Sequence, residues 1–340
     1  MNLSSFTELV KRAKAIAIFC HHNADPDALG SSYGVRWICS NLAPSARADI
    51  IAVGGASSLS LQLLSELNIA ISFLEECSPT DYDLFFMVDT NSFTQLSPYD
   101  EEIFSSTTPL IVIDHHAVKE EVKTRTSFSF IDPNATSTAE LVFSLMESLP
   151  LPPPPMEVSL LLLAGIVFDT RRFAIASAKT FSVVAKLVDL GANYNLVLKA
   201  LQTKVSYSER VARLKAAQRT QLYLVNDDLV VAVSHVGSYE ASAARSLLEI
   251  GADAAFVVSE KDDAVRVSAR CNSHFAEKTG MHLGVDVMEP LGKLIGGAGG
   301  GHSMAAGADG TGSAEYVISL LVELLRKKFS EKGLSFKPLK

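Results

Sequence analysis

The sequence lacks any excess of positive charge. Among 340 residues, 30 Lys and Arg stand against 38 Asp and Glu, for a formal charge of −8. A protein that tracks along DNA or RNA needs a cationic stripe that displaces counterions, and none is obvious. Cysteine is scarce too. Cys20, Cys39, Cys77 and Cys271 are separated by intervals that match neither a CxxC pair nor a zinc knuckle. They read as reduced thiols of a cytoplasmic protein, Cys20 and Cys39 as small buried hydrophobes. Long apolar runs are missing. The longest, about Val158 to Phe168, falls far short of the ~20 residues that span a bilayer, so no membrane association is expected. Lys11, Arg12 and Lys14 precede an apolar run, but only Ala15 to Cys20, shorter than the roughly 7–15 residues of a secretory core. What is present is core material: 48% of residues are hydrophobic and 20% charged. That excludes a disordered or fibrous chain, and the length suggests about two domains.

The first half alternates apolar runs with helical segments. Strands are expected at 15–20, 49–53, 83–89 and 109–114, and helices at 28–42 and 59–67. Runs apolar at every position suit a sheet covered on both faces, which points to a doubly wound, mostly parallel α/β sheet. A helix is expected over 136–149, followed by a surface connector at Pro152–Pro155 and a core helix over 158–168. The chain from 179 to 223 reads as mostly helical. Strands at 229–236, 254–260 and 264–270 follow, then a glycine-rich loop and an amphipathic helix over 314–329. The expected organisation is a catalytic domain over 1–185, a helical linker over 186–222, and a smaller α/β domain over 223–335.

Polar residues cluster where the apolar runs stop. The first group is His21-His22-Asn23-Ala24-Asp25-Pro26-Asp27, the second Asp89-Thr90, the third Asp114-His115-His116, and the fourth Asp169-Thr170. In open α/β sheets the strand ends converge on a crevice where ligands bind, so these groups can meet. A single such Asp is more often a cap or turn residue; the joint pattern is far more specific. Four carboxylates brought together repel. Asp25, Asp27, Asp89 and Asp169 carry four negative charges, which two divalent ions would match. A mixed Asp and His donor set suits Mn²⁺ or a similar intermediate metal better than Ca²⁺.

These motifs resemble those of the DHH phosphoesterase superfamily. In the second half, Val267-Ser268-Ala269-Arg270, Gly299-Gly300-Gly301-His302 and Ala305-Ala306-Gly307 resemble its associated C-terminal domain with a GGGH loop. The 134–140 stretch, NATSTAE, resembles the family's segment before the helix leading to the fourth motif. The likeness runs from about Lys14 to Phe329 and is nearest the compact nano-RNases and 3′-phosphoadenosine 5′-phosphate phosphatases. Three departures stand out. Pro26 separates the two carboxylates of a motif that usually reads PDGD. Arg171-Arg172 follows Asp169-Thr170 where glycine is common. The arginine expected after the second motif is missing from 91–96.

The resemblance implies that one metal is held by His21, Asp25 and Asp89 and a second by Asp27, Asp89, His115 and Asp169. It implies that Asp114 orients the histidine pair and that His116 donates a proton or stabilises charge, with His22 not a ligand. Arg270, Gly299, Gly300, Gly301 and His302 would bind substrate across an interdomain cleft from the metals. The function implied is Mn²⁺-dependent hydrolysis of short oligoribonucleotides, or of 3′-phosphoadenosine 5′-phosphate. Cyclic di-AMP or linear dinucleotide hydrolysis is the alternative, and a non-catalytic nucleotide-binding regulator is the alternative of another class. The partners would be short RNA or small nucleotides, and a homodimer is compatible with this reading.

Overall fold

The computed structural model describes residues 3–202 and 205–339. The chain divides into two compact units, residues 1–203 and 204–340. The first contains α1 (Leu3–Arg12), β1 (Ala15–Cys20), α2 (Pro26–Leu42), β2 (Arg47–Ala52), α3 (Ser58–Leu67), β3 (Leu84–Val88), α4 (Asp100–Ser105), β4 (Leu110–Asp114), α5 (Glu120–Arg125), β5 (Phe128–Ile131), α6 (Thr138–Glu147), α7 (Met156–Asp169), α8 (Ala178–Asp189) and α9 (Tyr194–Ala200). Its sheet is wholly parallel, in the order β2-β1-β3-β4-β5.

The strand sequences explain the layering. AIAIFC, LFFMV and LIVID are apolar on both faces, and nearly every residue is buried. Ile16, Ile18, Phe86 and Ile113 pack into one layer with α2, α6 and α7. Ala17, Phe19, Phe85 and Val112 face the other way, onto Leu96, Ile103 and Val122. Helix α7 is buried from Val158 through Val167. A helix apolar all round belongs inside a core, and α7 crosses α2 closely. A Cβ on Gly30 would lie 2.5 Å from the Leu161 carbonyl oxygen, so the two backbones touch where α2 carries no side chain.

The second unit contains α10 (Tyr207–Gln218), β6 (Gln221–Val225), β7 (Leu229–Val236), α11 (Glu240–Glu249), β8 (Ala254–Lys261), β9 (Ala264–Cys271), α12 (Ser273–Thr279), α13 (Glu289–Leu294), β10 (Ala298–Gly301), β11 (Ala305–Thr311), α14 (Ala314–Glu331) and β12 (Phe336–Pro338). Its sheet runs β10-β11-β9-β8-β7-β6-β12. Among the described residues, only β7 and β8 pair in parallel. Helix α14 buries Val317, Leu321, Leu325 and Phe329 at a spacing of four, one stripe of an amphipathic helix.

Two expectations need correction. The segment 186–222 is not a separate linker: α8 and α9 bury Val183, Leu187 and Val197 in the first core. Helix α10 buries Ala212 and Ala216 in the second unit. The glycine run is not a loop but the edge strand β10, paired antiparallel with β11. Glycine carries no strand signal of its own, so pairing alone makes it one. Among the described residues no helix is long and apolar enough to cross a membrane.

Replacing Gly30 by alanine forces a methyl into the α2–α7 contact. We expect Gly30→Ala to lower stability by about 1–3 kcal/mol, the usual cost of overpacking, read as an earlier midpoint in urea. An unchanged midpoint would mean that the helices part without cost.

Candidate metal centre

Each acidic group is delivered by a distinct local device. Asp25 is the N-cap of α2 and accepts hydrogen bonds from the Asp27 and Ala28 amides at 2.9 and 3.0 Å. Pro26 occupies the first helical position, where its fixed φ and missing N–H cost nothing. The stiffness noted between the two carboxylates therefore helps to set their spacing. Asp27, one residue on, is fully buried. It accepts the Thr138 and Ala139 amides at 2.7 and 2.9 Å, so the N-terminus of α6 points at a carboxylate, as its dipole favours. A Cβ on Gly165 of α7 would come within 2.5 Å of Asp27 Oδ1.

Asp89 follows β3 with φ at 60°, a left-handed conformation that non-glycine residues rarely adopt. It is buried and accepts the Thr138 hydroxyl at 2.7 Å. His21 follows β1, and His115 follows the last residue of β4. Asp169 is the exception to the strand-end pattern: it is the last residue of helix α7. The turn beyond it holds Arg171, Arg172 and Phe173 at φ values of 51, 58 and 70°, a run that glycine would adopt more cheaply.

The donor atoms fall into three groups that share Asp89. His21, Asp25 and Asp89 form one; Asp27, Asp89, His115 and Asp169 form the second; Asp89, His115 and His116 form the third, and within each group all atoms lie within 4.8 Å of one another. All come from the first unit. Two carboxylate oxygens at that spacing repel by about 3 kcal/mol at an effective dielectric of about 20. A helix N-terminus returns at most about 2 kcal/mol to one of them. The remainder has to be offset by protons or by cations.

The titration behaviour follows. Burial and then repulsion from Asp89, Asp169 and Asp25 push Asp27 well above the carboxylate range. Asp89 is raised by burial and Asp25, against the relief from His21 and Thr138. Burial works against Asp25 as well, yet His21 and the two amides win and lower it. For the histidines burial opposes the charge, but the carboxylates outweigh it. Asp25 and Asp89 take His21 to about 11, and Asp169 and Asp89 take His115 to about 9.

This donor set fits divalent cations. His115 Nε2 is buried, lies 3.1 Å from Asp169 and 3.6 Å from Asp89, and makes no hydrogen bond. A buried polar atom without a partner asks for one. His21 Nδ1 donates to the His22 carbonyl at 2.8 Å, so Nε2 is the nitrogen that faces Asp25 and Asp89 and that deprotonation would free for a metal. The mixture of imidazole and carboxylate suits an intermediate metal.

Asp114 and His116 form a dyad at the edge of this set, His116 also offering a ring nitrogen within 4.8 Å of donor atoms of Asp89 and His115. Fully buried Asp114 accepts from His116 Nδ1 at 2.8 Å and, through its other oxygen, from the Asn91 side chain. Asp114 thus orients His116 in particular rather than both histidines. His116 is exposed, and the bond to Asp114 raises its pKa. His22 Nε2 donates to the Ser97 carbonyl at 2.8 Å, a loop tie. Asn91 and Thr138 were not singled out as partners from the sequence. Thr138 sits in the NATSTAE stretch, whose Ser137 caps α6; that capping signal was the available clue. In the second unit, Arg270 lies near the end of β9 opposite Ala305. Gly299, Gly300 and Gly301 form β10, and the His302 amide donates to the Ala305 carbonyl at 2.8 Å in the hairpin turn.

Comparison with known proteins finds likenesses over most of the chain. The DHH family, N-terminal domain, matches residues 15–166, and the DHHA1 domain matches residues 230–331. An uncharacterized protein of Methanocaldococcus jannaschii is 37% identical over 330 residues, 95% of this chain and 96% of that one. A probable bifunctional oligoribonuclease and PAP phosphatase of Streptococcus mutans is 27% identical over 92% of this chain and 96% of its own length. The cyclic-di-AMP phosphodiesterase PdeA of Listeria monocytogenes is 28% identical over 77% of this chain, which spans 42% of that longer protein.

A pH-dependent test separates ligands from bystanders. Both histidines hold protons more tightly folded than unfolded, where the ordinary value is 6.5. Their stabilisation is complete below pH 6.5 and is lost as pH rises through about 9 for His115 and about 11 for His21. The raised carboxylates add in the same direction. With chelator present, the urea midpoint should fall between pH 6.5 and 9. Metal ligation needs these groups deprotonated, so the gain from Mn²⁺ should grow over the same window, to about 2.7 kcal/mol at a hundredfold excess over Kd. Asp89→Asn should be at least as stable as wild type in chelator and gain nothing from Mn²⁺. An equal gain in both proteins would contradict the shared role of Asp89.

Proposed function

The chain belongs to the DHH phosphoesterase superfamily, with a DHHA1 domain after the DHH domain, and from this we propose that it hydrolyses the phosphodiester of short oligoribonucleotides. The observation that carries the reading is the set of donor groups that meet at Asp89. His21, Asp25 and Asp89 would hold one divalent ion and Asp27, Asp89, His115 and Asp169 the other, with Mn²⁺ the ion of choice. Bound there, two such ions supply Lewis acidity for the phosphoryl group and for the attacking water.

The chain's own residues do the rest. Asp27 and Asp89 are fixed by the α6 amides and the Thr138 hydroxyl, so the donors do not need to rearrange when substrate arrives. Asp114 fixes His116 through Nδ1 and favours its protonated form, in which Nε2–H is free to act as the proton donor. As water attacks phosphorus, the P–O bond to the leaving ribose breaks, that oxygen takes the His116 proton, and the proton shed by the attacking water passes to solvent, from which His116 is recharged. The products are a nucleoside monophosphate and a shortened alcohol end.

Substrate length is assigned to the second unit. The Arg270 Nε is buried without a partner, and β10 is an edge strand with one side unpaired. Arg270, Gly299, Gly300, Gly301 and His302 would hold a second phosphate, with guanidinium and backbone N–H groups as donors. A short nucleotide needs two anchors rather than a cationic track. The same residues would serve 3′-phosphoadenosine 5′-phosphate, the likeness to the Streptococcus mutans protein supporting it, and cyclic di-AMP, with the PdeA likeness in support.

His116→Ala should keep its metal content while the rate falls by roughly 10²–10⁴-fold. Elemental analysis of the purified variant decides; loss of metal would place His116 among the ligands. Given a dinucleotide, phosphoadenosine phosphate, cyclic di-AMP and longer RNA with Mn²⁺, the enzyme should prefer the dinucleotide. Its rate should fall steeply toward RNAs of about ten or more nucleotides. Arg270→Ala and His302→Ala should each weaken the dinucleotide by about 1–3 kcal/mol, with metal content unchanged. Long RNA degraded as fast as the dinucleotide would overturn the two-anchor reading. No hydrolysis of any member would overturn the function.

A further inference from the structure

One charge beside the metal centre has no part in the chemistry described above. The acidic cluster opens onto a cleft of about 310 Å³, whose wall includes His21, Asp89, His116, Ser92 and Lys119. Among the described residues lining it, Lys119 is the sole lysine or arginine. Its Nζ donates to Ser92 Oγ at 2.7 Å, and Ser92 Oγ shares a hydrogen with Thr94 Oγ1 at 2.9 Å. The Lys119 amide donates to Asn91 Oδ1 at 3.3 Å, and Asn91 in turn donates to Asp114. The lysine is therefore fixed at both ends on the segment that follows Asp89.

Charge gives this placement a meaning. Residues 90–96 contain no basic side chain, so the segment that lines the cleft draws its positive charge from the stretch that follows β4. Lys119 takes part in none of the described ion pairs, although the cleft is rich in carboxylates. Only one of its three N–H donors is used by Ser92. The four carboxylates of the cluster would be neutralised by two dications, which leaves the negative charge of a bound phosphate with Lys119 as its neighbour. An ammonium is a point charge that suits a non-bridging phosphate oxygen.

We propose that Lys119, seated on Ser92, is a phosphate-binding residue that grips the phosphate retained in the nucleoside monophosphate product. The inference rests on the phosphoesterase reading and specifies which side chain of that cleft recognises the anion. The test uses 5′-AMP as the probe, titrated calorimetrically into the full-length Mn²⁺-loaded protein, alongside dinucleotide turnover. Lys119→Gln should weaken AMP roughly 10–100-fold, the size of a lost charged hydrogen bond, and lower kcat/KM by a similar factor. Its metal content and thermal midpoint should match wild type. Lys119→Arg should recover part of the affinity. Ser92→Ala should cost less than Lys119→Gln, because it releases the ammonium without removing it.

AMP bound equally well by Lys119→Gln and wild type would overturn the proposal and leave Lys119 a surface cation. Loss of Mn²⁺ from Lys119→Gln would also overturn it, assigning the residue to support of the Asn91–Asp114 network. Failure of the underlying function looks different: the wild-type protein itself would neither turn over a dinucleotide nor bind AMP.

Discussion

The mutual repulsion of Asp25, Asp27, Asp89 and Asp169 is the constraint around which the first unit is organised. No globular core gathers four acids without a means of holding them. Here the means are built into the helices. Asp25 caps α2, the α6 amides take Asp27, and the Thr138 hydroxyl takes Asp89. These contacts fix positions but do not neutralise charge, so Asp27 and Asp89 remain raised and His21 and His115 hold protons in compensation. A fold that stores repulsion at one point is prepared for divalent cations there.

The same constraint explains features far from the carboxylates. Helix α7 carries Asp169 at its end and presses its backbone against α2, the helix that carries Asp25 and Asp27. Gly30 and Gly165 make that approach feasible, so the spacing of the acids is set by helix packing rather than by loop flexibility. Interiors packed at crystal-like density transmit small displacements. The Asp114–His116–Asn91 network is rigid for a different reason, a buried carboxylate satisfied on both oxygens. Ligand positions and the proton donor are thus held by separate devices.

Much of this was legible in the sequence because its signals are local. The runs 15–20, 84–88 and 110–113 are apolar at every position, which marks central parallel strands, and each is followed at once by a polar residue, His21, Asp89 or Asp114. The relationships across the chain were not legible. Phe128–Ile131 is a short, half-buried edge strand with no clear period. Gly299–Gly301 becomes a strand only through β11. Asn91 and Thr138 act through partners 23 and 49 residues away, and no local pattern announces such bonds. Asp169 groups with the strand ends by sequence, yet it closes the core helix that the apolar run 158–168 announces. The DHH resemblance supplied the grouping of ligands; the capping role of Asp25 and the hold of the α6 amides on Asp27 come from the structure.

The central claim is that Asp89 joins two metal positions into one centre. Electron paramagnetic resonance of the protein titrated with Mn²⁺ addresses it directly, since two ions sharing a carboxylate are magnetically coupled. The account predicts that a six-line signal from isolated ions gives way to the broad multiline spectrum of a coupled pair as the second equivalent binds, and that Asp89→Asn never shows the coupled spectrum. A wild-type spectrum that remains the sum of isolated ions at saturation would contradict the shared-ligand centre.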